Sequence, residues 1–100
     1  MSALLITIAR TAVGGQDALS RYAAGVMPLI QTAGGQVICR MQPTETVVGA
    51  DADRPDLVAV MRFESPDAIR RFLDSDGYRQ HVPHRARAFT EVHSYIALDL

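Results

Sequence analysis

LVAVMRF, residues 57–63, is the stretch on which the fold turns. It is short, rich in β-branched and large apolar residues, and carries one charge, so it reads as a strand. Successive side chains of a strand point to opposite faces. Leu57, Ala59, Met61 and Phe63 therefore share one face, and Val58 and Val60 share the other, ahead of Arg62 and Glu64. A sheet with water on one side should alternate apolar with polar residues, and this strand does so poorly.

Toward the C-terminus, Ser65-Pro66-Asp67 is a helix start, with a serine cap and proline in the first turn. Ala68, Ile69, Phe72 and Leu73 give that helix an apolar stripe, and Ser75-Asp76-Gly77 interrupts it. Residues 78–89 form a polar segment with Arg79, His81, His84, Arg85 and Arg87, expected to be helical after Pro83. VHSYIAL, residues 92–98, is the last strand. Toward the N-terminus, GADADRPD (49–56) is a loop and QVICRM (36–41) is a strand, expected to resume after Pro43 through residues 44–48. Helical spacing of Leu19, Ala23, Val26 and Ile30 predicts a helix from Asp17, its cap, to about Ala33. Gly34-Gly35 should end it, and Pro28 should kink or break it. ALLITIA (3–9) is the first strand, with Leu4, Ile6 and Ile8 opposite Leu5, Thr7 and Ala9.

The order β-α-β-β-α-β predicts one α+β domain over residues 1–100. Its class is ferredoxin-like, a four-stranded antiparallel sheet with two helices on one face. Two helices cover one face only. The second would expose several aliphatic side chains, each worth about 1.5–3 kcal/mol on burial. Such a patch marks an interface, which predicts a homodimer joined through the sheet face. Folding of loop 42–56 over that face is the alternative.

With 48% hydrophobic and 21% charged residues the composition is that of a globular protein. The net charge is −1, all ten basic residues are arginine, and no basic block exists, which argues against a nucleic-acid partner. The single cysteine, Cys39, suits a reducing compartment. The opening MSALLITIAR has no basic region before its short apolar run, so neither a signal peptide nor a membrane span is expected. A soluble, cytoplasmic protein is the expectation.

Tyr22 followed by Gly34-Gly35, Arg40, Glu45 with Gly49, Phe63-Glu64-Ser65-Pro66, and Ser75-Asp76-Gly77-Tyr78 with Arg85 form a pattern along nearly the whole chain. In these features the chain resembles the bacterial family known as domain of unknown function thirteen-thirty, within the dimeric α+β-barrel superfamily. It departs where the family's usual Ser-Pro-Glu-Tyr reads Ser-Asp-Gly-Tyr, and where Leu73-Asp74 replaces an aromatic before that serine. The resemblance implies the fold and the dimer but no agreed activity. Other members of the superfamily include cofactor-independent monooxygenases, polyketide cyclases and lactone isomerases, some with a tyrosine and a histidine near the second helix.

Among single residues, His81 and His84 are three apart, which puts them on one helical face if Pro83 allows it. They are either surface histidines or proton-transfer groups suited to neutral pH. No spacing matches an established metal motif, so no metal is expected. Tyr78, after a glycine, is either a packing residue or a hydroxyl aimed between sheet and helices, and Tyr22 and Tyr95 share the ambiguity. Arg40, Arg62 and Glu64 are charges in or at the ends of apolar strands and need partners or water. Arginine pairing with Glu45 or Glu64 is one reading; an arginine holding an anionic ligand is the other, and Arg85 invites both. Cys39 reads as a buried, inert thiol. No phosphate loop, dinucleotide fingerprint or Ser-His-Asp order is present, and no cofactor is implied.

Three functions follow. The first is a dimeric module binding a small, partly apolar molecule between sheet and helices. The second is a cofactor-free enzyme with His81 or His84 as base, Tyr78 orienting the substrate and an arginine stabilising an enolate. The third is a structural or regulatory dimer without ligand.

Overall fold

The computed structural model describes residues 2–99. Strands β1 (Ala3–Thr11), β2 (Gln36–Met41), β3 (Leu57–Phe63) and β4 (Phe89–Ala97) and helices α1 (Gln16–Thr32), α2 (Pro66–Asp74), α3 (Asp76–Arg79) and α4 (Val82–Ala88) follow in the order β1-α1-β2-β3-α2-α3-α4-β4. The strands form one antiparallel sheet in the order β2-β3-β1-β4, the ferredoxin-like arrangement.

The register assigns each side chain to a face. Leu5 lies opposite Met61, Thr7 opposite Ala59 and Ser94, and Ala9 opposite Leu57 and Val92. That face carries the helices. Its core is Ala3, Leu5 and Phe63 from the sheet, Val26 and Ile30 from α1, and Ala68, Ile69, Phe72 and Tyr78 from α2 and α3. Phe63 and Ile69 are the largest side chains sealed from solvent, at 1% and 0% exposure. The opposite face, called the open face below, carries no helix, and its central side chains are half-buried. It carries Leu4, Ile6 and Ile8 beside Val58, Val60 and Tyr95.

The helix ends follow local chemistry. Gly34 has a φ of 80°, and Gly34 N–H and Gly35 N–H donate to the carbonyls of Gln31 and Ile30, closing α1 as a Schellman motif. A Cβ on Gly35 would stand 2.7 Å from Ile30 Cγ2 and 2.8 Å from Phe63 Cζ, so glycine is required there for space as well. Ser65 caps α2 by accepting from Ala68 N–H at 3.1 Å.

Several expectations are corrected. α1 runs unbroken through Pro28, because Val26 and Ile30 on either side are buried and their packing outweighs one lost backbone bond. Its N-cap is Gly15; Asp17 sits in the first turn, paired with Arg21 at 3.3 Å. Residues 44–48 do not continue β2. Val47 and Val48 are 87% and 92% exposed, past the end of β2, which is the edge strand of the sheet. Cys39 is half-buried and lies opposite Val60, on the open face rather than in the core.

Candidate functional site

Between α1 and the helix side of the sheet lies a cavity of about 90 Å³. Its wall is apolar for most of its extent, with Leu5, Val26, Leu57, Ala59 and Met61 prominent. At one place it is polar. The Tyr22 and Tyr78 hydroxyls are 2.8 Å apart, and Arg85 Nη1 donates to the Tyr78 oxygen at 3.0 Å. All three residues line the cavity. A second polar spot is on the sheet floor, where Thr7 Oγ1 and Ser94 Oγ are 2.9 Å apart and both residues line the cavity.

Local structure places these groups. Ser75 ends α2 and starts α3: its hydroxyl donates to the Phe72 carbonyl at 2.7 Å and accepts from Tyr78 N–H at 3.2 Å. That short pivot is why Tyr78 turns inward and is buried. Tyr78 and Tyr22 then continue a chain of aromatic contacts, Phe63–Phe72–Tyr78–Tyr22–Phe89, with centroids 5.2–6.3 Å apart. Arg85 sits two turns beyond Tyr78, its guanidinium 5.9 Å from the ring centre. Burial is the main reason that the Tyr22 phenol is held well above its ordinary range; the charge and hydrogen bond of Tyr78 add to it, and Arg85 opposes. Tyr22 is thus a neutral hydroxyl at working pH, a donor and acceptor rather than a phenolate.

Arg40 also lines the cavity, for a reason that alternation along β2 hides. The pairing of β2 with β3 slips between Val37 and Cys39, leaving Ile38 as the extra residue. Val37 and Arg40 thereby share the helix face, although they are an odd number of residues apart.

Of the residues singled out from the sequence, Tyr22, Tyr78, Arg40 and Arg85 come together around the cavity, and the others do not. His81 and His84 lie outside its wall. Their rings stack at 6.0 Å, and His81 fits against Gly25 of α1, where a Cβ would stand 2.1 Å from its Cε1. His81 Nδ1 is buried there without a hydrogen-bond partner. Arg62 lies on the open face and pairs with Asp99 at 3.2 Å, not with Glu45 or Glu64. Glu64 is exposed at the end of β3. Among the described residues no three of His, Cys, Asp and Glu gather in a way that could hold a metal ion. Thr7 and Ser94 were not singled out; their signal is a hydroxyl residue at the centre of each of two apolar strands.

The open face has its own chemistry. Its aliphatic stripe of Leu4, Ile6, Ile8, Val58 and Val60 is bordered by Arg10, which pairs with Glu91 at 3.3 Å, and by Glu91 with His93 at 2.7 Å. The His93 hydrogen bond holds the Glu91 carboxyl below its ordinary range. Loop 42–56 does not roof this stripe with its valines; it touches the end of β1, where Asp56 N–H donates to the Ala9 carbonyl and Arg10 to that of Ala52.

The fold and register define a ferredoxin-like α+β domain with its cavity on the helix side and an apolar sheet face left uncovered. Residues 5–97 match the model of the family described as Domain of unknown function (DUF1330), and the chain belongs to that family. Solved structures agree in fold. A protein of unknown function from Rhodopseudomonas palustris superposes with a TM-score of 0.86 at 20% identity, covering 99% of this chain and 82% of that one. An ethyl tert-butyl ether d (EthD) family protein from Bacillus halodurans gives 0.71 at 14%, covering 100% of both chains. A protein of unknown function from Bacteroides fragilis, described as dimeric and ferredoxin-like, gives 0.71 at 6%, covering 98% and 96%. No curated protein matches the sequence. Among the described residues no helix is long and apolar enough to cross a membrane.

Proposed function

We propose that this protein is a homodimer, joined through the open sheet face, in which each protomer binds a small, partly apolar molecule between sheet and helices. One observation carries the binding role: an apolar cavity with a few polar groups in its wall, among them the hydrogen-bonded Tyr22–Tyr78–Arg85 cluster. Ligand sites are mostly apolar with a few convergent polar groups that fix orientation. The open face supports the dimer, as does the description of the Bacteroides fragilis neighbour.

The enzyme alternative has less support, since neither His81 nor His84 lines the cavity. Tyr22, Tyr78 and Arg85 can still bind and orient a ligand oxygen. Binding is tested by following methyl resonances of labelled protein during titration with isobutanol, a neutral apolar probe. Shifts confined to Leu5, Val26, Leu57 and Met61, and lost in Ala59→Leu, are expected. Diffuse shifts, or shifts unchanged by Ala59→Leu, would refute the cavity as a binding site.

A further inference from the structure

We propose that the ligand is a short-chain carboxylic acid, bound with its carboxylate on Arg85 and the tyrosine pair and its hydrocarbon body in the apolar cavity. This rests on the binding role proposed above and adds the chemical class of the ligand.

Charge is the first argument. Among the residues lining the cavity there are two arginines, Arg40 and Arg85, and no aspartate or glutamate. Among the described residues neither arginine has a carboxylate within salt-bridge distance, whereas Arg10, Arg21, Arg54, Arg62, Arg70 and Arg79 each do. Arg85 is half-buried, and one hydrogen bond to a phenol oxygen uses one of its five N–H groups. A guanidinium in that setting matches a carboxylate, with which it forms paired, charge-assisted hydrogen bonds.

The second argument is a count of protons. Tyr22 and Tyr78 hold two phenolic protons between them, and their mutual hydrogen bond uses one. Arg85 occupies a lone pair on Tyr78 and supplies its own proton. If Tyr78 donates to Tyr22, the Tyr22 proton is left over; if Tyr22 donates to Tyr78, the Tyr78 proton is. Either way the cluster offers one O–H donor and several N–H donors. A carboxylate, which only accepts, satisfies both kinds. An amine would meet two phenols and a cation, with no anion to receive its charge.

Size bounds the body of the ligand. At about 90 Å³ the cavity is smaller than the ~150 Å³ that admits benzene in a rigid core. A branched acid of about five carbons, with its carboxylate among the polar groups, is therefore favoured over an aromatic one.

The probes are isovalerate and its neutral isostere isovaleramide, titrated near neutral pH by methyl-resolved NMR. Isovalerate is expected to bind at least tenfold more tightly. Arg85→Gln should abolish that preference, while isovaleramide, bound more weakly than in the native protein, still shifts the same cavity methyl groups, which also shows that the variant folds. Arg40→Gln should keep the preference. Equal affinity of acid and amide in the native protein would overturn the carboxylate assignment and leave the binding role standing. No localised binding of either probe would overturn both. Loss of the preference in Arg40→Gln but not in Arg85→Gln would overturn the placement on Arg85.

Discussion

On the helix side of the sheet Ala3, Leu5, Ala9 and Phe63 are buried under the helices, whereas on the other side Tyr95 and Met41 are 54% and 51% exposed. The same strands supply both faces at similar apolarity. What differs is the covering. The helix side is filled by aliphatic and aromatic side chains except where the cavity remains, and several of its polar groups line that cavity. The open side has a smooth aliphatic stripe with ion pairs at its border, the anatomy of an apolar interface core with a polar rim. The helix side holds the core and the cavity; the other side leaves its apolar stripe without a helix over it.

The comparison breaks most visibly if Phe63 is not the anchor of the helix side. Phe63→Ala should cost about 3–5 kcal/mol in urea unfolding, a large part of the ~5–15 kcal/mol typical of a domain. A loss under 1 kcal/mol would place the core elsewhere. On the open side, Val60→Asp puts a charge in the stripe opposite Ile6. An unpaired buried charge costs about 3–5 kcal/mol, so the dimer dissociation constant should rise at least about a hundredfold in sedimentation velocity. An unchanged sedimentation coefficient would separate the stripe from assembly.

A smaller effect probes the α1–α4 contact. Gly25→Ala should cost about 1–3 kcal/mol, because its methyl group meets the His81 ring. In a His81→Ala background the same change should stabilise by about 0.5–1 kcal/mol, the helix preference of alanine over glycine. Additive effects of the two substitutions would show that the ring is not seated on Gly25.

The smallest effect concerns pH. The Tyr22 pKa is raised in the fold above its unfolded value near 10. Above pH 10 the native state therefore holds more protons than the unfolded state, and stability falls as pH rises. The fall in melting temperature between pH 9 and 11 should be shallower in Tyr22→Phe, which at neutral pH should cost about 0.5–1.5 kcal/mol for the lost hydroxyl contact. Parallel curves for the two proteins would contradict a buried Tyr22 phenol.

Strong local signals were legible. Ser65-Pro66-Asp67, Gly34-Gly35 and the Ser75 break stand where sequence placed them, because capping and glycine chemistry act within a few residues. β3 begins and ends as read, since a seven-residue run rich in β-branched and large apolar residues, set between a loop and a capped helix start, is too short for a buried helix. The lining of the cavity was half legible. Tyr22, Tyr78, Arg40 and Arg85 were named, but nothing local distinguished them from His81, Arg62 and Glu64. Thr7 and Ser94 went unread because their meeting depends on β1 pairing with β4 across 87 residues.

By itself the amino-acid order determined the sequence of elements, the ferredoxin-like class and the surplus of apolar faces. Side-chain period, caps and composition are short-range properties carried by the chain. Only the tertiary structure decided which side of the sheet each charge faces and which polar groups meet. The bulge at Ile38 turns Arg40 toward the cavity, and the Ser75 pivot brings Tyr78 to Tyr22, which is 56 residues away. A one-residue slip or a single turn reverses a side chain's direction at little energetic cost, and packing of the whole chain selects between the two.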